Sequence, residues 1–383
     1  MRFIHTGDWH LGRLFHNIHL TDDQAFTLDG LLRLAEESRA DAVVIAGDVY
    51  DRAVPPTQAV ELLDDILGDL ALRLGIPVVM IAGNHDSPAR LQYLNGLVGR
   101  VGVHVVGKVD REPRGVPLVG RDGVTVVFWP LAYTDPETAR GVLQRDDIHT
   151  HEATLAEQLA GVRATMDRGA RHVVIGHAFV TGAQPSESER PLTVGGTGEV
   201  SCAVFDGFDY VALGHLHRPQ SVTERVRYAG SLLKYSFDEA DHRKSVTVVD
   251  LAEDGSVAIE ERELPVRHDL VRLAGSFSEL MDRPDAPSYG EAYVEATLTD
   301  GEAVLDPMER LRAVYPLILS LRREASLRET GERDRPSVRG RSTIDLFGDF
   351  FADSTGSPMT AAQHAEVADA LTTLEREARE VAS

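Results

Sequence analysis

The chain has 383 residues, 43% hydrophobic and 26% charged, with 61 acidic side chains against 39 Lys and Arg for a formal net charge of -22. That length suits two or three folded units and excludes disorder throughout, while the acidic balance opposes diffuse attraction to nucleic acid or anionic lipid, so any DNA contact must be locally organised. The single cysteine, Cys202, excludes an internal disulfide, a zinc ribbon and a Cys-x-x-Cys redox pair. The opening MRFIHTGDWH shows no charged leader before an apolar core, and no apolar run approaches the roughly 20 residues that span a bilayer. A soluble cytoplasmic protein with no membrane contact is the expectation.

In chain order, RFIHT, an amphipathic stretch from Asp22 to Arg39, AVVIAG, a second from Thr57 to Leu74, and PVVMIAG set a βαβαβ rhythm. The runs Ala42 to Ala46 and Pro77 to Ala82 do not alternate with polar residues, as expected for strands covered on both faces. From Val103 the period shortens through VHVVG, VPLVG and VTVVFWPLA, followed by a helix from Glu152 to Arg168 and the strands HVVIGH, DYVALGH, VRYAGS, SVTVVDL and SVAIEERELP. This predicts a four-layer α/β/β/α sandwich over residues 1–265. A smaller α+β unit is predicted over residues 266–323, with strands at Leu270 to Ala274, Ala292 to Leu298 and Leu317 to Leu321, and a helix opened by Asp306 as N-cap and Pro307 as first residue. Residues 324–341, which include RDRPSVRGR, read as a charged, exposed linker. A helical segment over residues 342–383 closes the chain. Ile344, Leu346, Phe347, Phe350 and Phe351 form an apolar stripe there, and Thr360 with Gln363 form a capping box for a helix to Arg379.

Five strand ends present metal-binding side chains directly after a buried run: Asp8 and His10 after RFIHTG, Asp48 after VVIAG, Asn84 with His85 and Asp86 after VMIAG, His177 after VVIG, and His215 with His217 in VALGHLH. Carboxyl ends of strands are where α/β sheets assemble sites. Gly7, Gly47, Gly83, Gly176 and Gly214 precede these residues, and are expected to let the backbone turn sharply and to leave room for a phosphate. Singly, Asp-x-His is a surface pair, Asp48 a turn former and His177 a core histidine; their recurrence at strand ends is what points to a site.

An oxygen and imidazole set without thiolate suits Mn, Fe or Zn. Seven ligands exceed one tetrahedral ion and fit two divalent ions sharing a carboxylate and a water, a pair that activates water and clamps the phosphoryl oxygens in phosphodiester hydrolysis. The leaving alkoxide needs a proton, and His85 is the candidate acid, with Asp86 able to orient its ring. The other histidines, among them His5, His151 and His172, lack this context and read as structural or solvated.

The ordered motifs GDWH, GDVYD, GNHD, GHA and GHLH resemble the calcineurin-like metallophosphoesterase superfamily. HTGDWHLGR, AGDVYDRAVPP, AGNHDSPARL, ALGHLHRPQ and YAGSLLKYSFDEADHRKSV resemble, more narrowly, the SbcD-type nuclease subunits of bacterial SbcC–SbcD complexes. The resemblance implies that Asp8, His10, Asp48 and His217 hold one ion and that Asp48, Asn84, His177 and His215 hold the other, with Asp48 bridging and His85 as acid or phosphate stabiliser. It implies Mn(II)-dependent exonuclease and hairpin endonuclease activity on DNA, an SMC-like ATPase partner of the SbcC type docked on the IDLFGDFF tail, a capping role for the smaller unit, and a homodimer built through helices near Asp22 to Arg39 and Pro88 to Leu97. Archaeal and eukaryotic relatives carry a second catalytic histidine soon after the GD motif, where this chain has Tyr50, Asp51 and Arg52. Arg13, Arg52, Arg90 and Arg218 lie beside the motifs as candidate DNA contacts, each with a packing or solvated role as the alternative. The competing readings are a small-substrate phosphatase or cyclic-nucleotide phosphodiesterase with the same site, and a scaffold that has lost its metals.

Overall fold

Ala42–Ile45 and Val78–Ile81 are buried at every residue, the physical reason their sequences do not alternate. The computed structural model describes residues 1–167, 169–189, 192, 198–283, 285–324, 342–355 and 357–381. Two six-stranded sheets dominate. The first runs in the order Val257–Glu263, Ser245–Leu251, Arg2–Thr6, Ala42–Ile45, Val78–Ile81, Val103–Val106, and the second Gln220–Ser221, Val226–Tyr228, Tyr210–Gly214, Arg171–His177, Thr125–Pro130, Val116–Val119. The inner four strands of the second sheet are parallel, as are the last four of the first; Ser245–Leu251 and Val257–Glu263 close one edge of the first sheet antiparallel.

The sheets share one core. Phe3, Val44, Val79 and Val249 of the first pack with Phe128, Val173, Ile175 and Ala212 of the second, and the Phe3 ring meets Phe128 edge-on at 5.3 Å. His5 crosses the same layer, its ring between the Tyr210 hydroxyl at 3.0 Å and the Leu213 carbonyl at 3.1 Å. Helix His151–Thr165 covers the outer face of the second sheet through Leu155, Leu159 and Val162. Helices Thr21–Glu37 and Thr57–Gly68 bury one side each, through Leu28, Leu31 and Ala35 and through Leu63 and Ile66. The chain is therefore an α/β sandwich of the expected class.

Two compact units result, one of Met1–Val271 with Glu291–Tyr293, the other of Arg272–Gly290 with the chain from Val294 onward. The second carries most of a small sheet in the order Leu270–Gly275, Tyr293–Leu298, Ile318–Arg323, the last two parallel. Its core includes Phe277, Leu280, Val294, Leu311 and Tyr315. Helix Pro307–Arg312 forms, but Asp306 does not cap it: its φ is 45° and its side chain makes no capping bond. Ser276 and Glu279 form a capping box in this unit, at the start of helix Phe277–Met281. Thr360 and Gln363 do cap reciprocally, at the start of helix Ala361–Val381. The charged linker expected at 324–341 lies, beyond Glu324, outside the described residues. Among the described residues no helix is long and apolar enough to cross a membrane.

Tyr228 ties the second sheet to the segment that follows His177, donating to the Ala178 carbonyl at 2.7 Å and accepting from the Val180 amide at 2.8 Å. Tyr228→Phe strands both backbone groups in a buried layer, and urea denaturation should show a loss of about 1–3 kcal/mol; a loss within error would mean that the layer admits water.

Candidate metal centre

Parallel strands in both sheets end at one edge. Thr6 pairs with Ile45 in the first sheet, and Gly214 with His177 in the second, so Asp8, Asp48, Asn84, His177 and His215 emerge side by side. The sharp turns fall on the candidate ligands themselves: Asp8, His10, Asp48 and His215 have φ of 50°, 45°, 46° and 103°. Among the five glycines only Gly47 has positive φ, at 91°. The others do not supply turns. Gly83 and Gly214 supply close approach, since a Cβ would stand 2.2 Å from the Asp48 carboxylate and 2.0 Å from the Ala46 carbonyl. At Gly83 and Gly214 the space beside the backbone is taken by the protein's own groups.

Asp8, His10, Asp48, His177, His215 and His217 are all buried. One Asp48 oxygen accepts from the His85 amide at 2.8 Å. The other faces the Nε2 atoms of His177 at 3.5 Å, His10 at 3.7 Å and His85 at 3.9 Å. Asp8 accepts from the His215 amide through both oxygens. Asn84 Oδ1 lies 2.8 Å from His177 Nε2 and 3.3 Å from His215 Nδ1. Ligand atoms of Asp8, His10 and His217 gather within 4.8 Å of one another, as do those of Asp8, Asp48 and His177.

The proton inventory fits cations in this cluster. His177 Nδ1 donates to the Ala46 carbonyl at 3.0 Å, which leaves its Nε2 lone pair facing inward. His217 Nδ1 meets Ser188 Oγ at 2.6 Å and Glu239 at 3.3 Å, which leaves its Nε2 as an acceptor 3.1 Å from His10 Nε2, while the buried His10 Nδ1, 3.5 Å from Asp51, has no hydrogen-bond partner. A cation between the two Nε2 atoms would suit this pair. Burial drives His10 and His215 well below the usual imidazole range and His177 and His217 to about 4, which keeps them neutral, the ligating form. Burial and the Asp48 charge push Asp8 well up, so the carboxylate pair calls for positive charge beside it.

His85 stands over Asp48 with its Nδ1 held 2.8 Å from the Asp51 carbonyl. Asp86 does not orient it, contrary to expectation. Its carboxylate accepts from the amides of Val49, Tyr50 and Gly83 at 3.1, 2.9 and 2.9 Å, stapling the GDVYD loop to the GNHD loop. Arg13 is committed to Asp51 at 2.9 Å and lies 5.0 Å above the Tyr235 ring. Arg52, Arg90 and Arg218 are exposed, and Arg218 donates to Gln184.

Sequence reasoning missed the group behind His217. Glu239, fully buried, pairs with Lys244 Nζ at 2.5 Å, and Lys244 also donates to the His217 carbonyl at 2.6 Å. Ser188 donates to Glu239, and Glu189 accepts from the His217 amide at 2.7 Å. Burial alone would raise Glu239, but the Lys244 charge and the His217 ring hold it well below the usual carboxylate range. The detectable signal was Lys244 at the mouth of the apolar strand SVTVVDL, a position where an unpaired ammonium would be costly.

Residues 1–219 match the calcineurin-like phosphoesterase family, and residues 266–355 match the SbcD_C family, described as a type 5 capsule protein repressor C-terminal domain. Among solved structures, a dimetal phosphatase from Danio rerio is similar at 14% identity over 69% of this chain and 96% of that one, with a TM-score of 0.43. A protein of Thermus thermophilus is similar at 14% identity over 68% and 98%, with a TM-score of 0.37, and the Yfce phosphoesterase of E. coli at 14% over 69% and 100%, with 0.25. With more than half its length in one family and Asp and His clustered where its strands end, the chain belongs to the calcineurin-like phosphoesterases, metal-dependent hydrolases that use a dimetal centre.

Proposed function

We propose that the chain is an SbcD-type DNA nuclease, a double-strand exonuclease and hairpin endonuclease that uses two Mn(II) ions and works in the cytoplasm with an SMC-like ATPase. The observation that carries this reading is the joint match of one chain to a phosphoesterase family over residues 1–219 and to the SbcD_C family over residues 266–355. A small-substrate phosphatase has no need of the second domain. We assign residues 1–265 to the nuclease, 266–323 to a cap that shapes the DNA groove, 324–341 to a linker and 342–383 to partner binding.

In this reading Asp8, His10, Asp48 and His217 hold one ion, and Asp48, Asn84, His177 and His215 the other. Ions held by these residues would supply water activation and neutralise charge on the phosphoryl oxygens. His85 is the group free to serve the leaving alkoxide: Asp51 holds its Nδ1–H, and its Nε2 faces the cleft side of Asp48. Asp86 acts through the two loops it staples. Arg52, Arg90 and Arg218 are exposed beside these loops and would meet phosphates, whereas Arg13 positions Asp51. The acidic surface makes a partner-supplied basic groove useful, and two bound cations offset the site's own carboxylates.

Helix Thr343–Thr355 leaves Phe350 65% and Phe347 38% exposed, a hydrophobic face suited to a groove on the ATPase. Tyr93 and Leu97, 73% and 64% exposed around the short helices Pro88–Leu91 and Asn95–Val98, support a second copy as the homodimer partner.

End-labelled duplex and hairpin DNA with Mn(II) should yield chelator-sensitive product ladders. His85→Ala should slow cutting by about 10²–10⁴-fold with both ions retained. Turnover of a generic phosphodiester without DNA cutting, even with the ATPase present, would replace the nuclease reading with the small-substrate one. Replacing Phe347 and Phe350 with Ser should weaken ATPase binding at least about tenfold, a 1.4 kcal/mol effect, and leave phosphodiester turnover unchanged; unchanged binding would place the partner elsewhere.

A further inference from the structure

A cavity of about 400 Å³ opens where the outer edge strands of the two sheets part, Val103–Val106 of the first and Val116–Val119 of the second, beside helix His151–Thr165. Its volume is that of a small-molecule site. None of the candidate metal ligands lines it. One wall is held in place by two carboxamides: Gln92 Oε1 accepts from the amides of Gly107 and Lys108, each at 3.0 Å, and Asn95 donates to the Val105 carbonyl at 2.8 Å.

A third carboxamide on the same cavity is not engaged. Gln158 is 4% exposed, yet its side chain makes no hydrogen bond among the described residues. Buried amides are ordinarily paired, so this one calls for a partner that enters from the cavity. Gln158 also borders a pocket of about 20 Å³ beside His177, which has room for one water and no more. Two cations share the larger cavity. Lys108, one of three lysines in the chain, and Arg114 are exposed there, and neither is paired with a carboxylate among the described residues. Asp110 is the one acid on the wall, and burial holds His104 below the usual imidazole range, where it adds no charge. In a chain of net charge -22 this is a local reversal of sign.

We propose that this cavity binds a purine nucleoside monophosphate, with the Gln158 carboxamide on the edge of the base and Lys108 and Arg114 on the phosphate. A carboxamide offers one donor and one acceptor side by side, the pattern that the N6–N7 edge of adenine completes. An ammonium and a guanidinium suit a phosphomonoester, and Val106, Val116 and Leu131 give the ring an apolar wall. A bare anion would leave Gln158 unmet, and a neutral base would leave both cations unmet. The site stands independently of the nuclease reading, since it uses neither the strand-end cluster nor the arginines beside it.

The test is calorimetric titration of the full-length chain with deoxyadenosine monophosphate in excess chelator, which keeps the strand-end cluster out of the measurement, with melting temperatures as the check on folding. The wild-type chain should bind one nucleotide, at least about tenfold more tightly than it binds deoxyadenosine or inorganic phosphate. Gln158→Leu should weaken nucleotide binding about tenfold and leave phosphate binding unchanged. The double variant Lys108→Ala with Arg114→Ala should weaken it about tenfold or more and flatten its dependence on salt. Both of those side chains are exposed, so the double variant carries the test should the Gln158 variant fail to fold. No binding at millimolar nucleotide, binding that the variants retain in full, or phosphate binding as tight as nucleotide binding would each overturn the inference.

Discussion

Every part of the site answers to the Asp48 carboxylate. One oxygen is fixed by the His85 amide and the other is met by imidazoles from the first, third and fourth motifs, so strands from both sheets are registered on a single side chain. That convergence is possible because the parallel strands of the two sheets end at one edge, and because Gly83 admits the Asp48 carboxylate to a distance no Cβ would allow. An acid alone in such a place would be neutralised by protonation. With His10 and His177 kept neutral by burial beside it, it is a receptor for cations.

The sandwich and the clustering of its strand-end Asp and His residues were legible because burial leaves a local trace. AVVI and VVMI lack alternation since both faces are covered, and each of the five motifs interrupts such a run at the point where the strand leaves the sheet. What could not be read is what depends on long separations. Glu239 reaches Ser188 across 51 positions, and Asp51 takes the His85 ring through its backbone carbonyl, an atom no residue letter reports. Asp86 looked like a partner for its neighbour because it follows it, yet its carboxylate points away to three amides. Asp306 followed a cap pattern and adopts a left-handed backbone instead, which Asp tolerates better than most residues.

The outer elements follow a different logic from the core. Helices Thr21–Glu37 and Thr57–Gly68 spend their apolar faces on the sheet, whereas helix Thr343–Thr355 retains exposed phenylalanines. A chain with a net charge of -22 keeps such a surface soluble by self-repulsion. The same charge opposes the approach of any polyanion except along a path lined with opposite sign.

The left-handed backbone of Asp8, His10, Asp48 and His215 bears on how this chain can change over generations. Each such residue costs about 1 kcal/mol or more relative to glycine at the same position, a cost the fold carries only because the side chain is wanted there. Selection for folding alone would therefore favour glycine at all four places. A lineage that had ceased to bind metal would drift that way and grow more stable as it lost its chemistry. Asp and His at these positions carry that cost for side chains that glycine cannot supply.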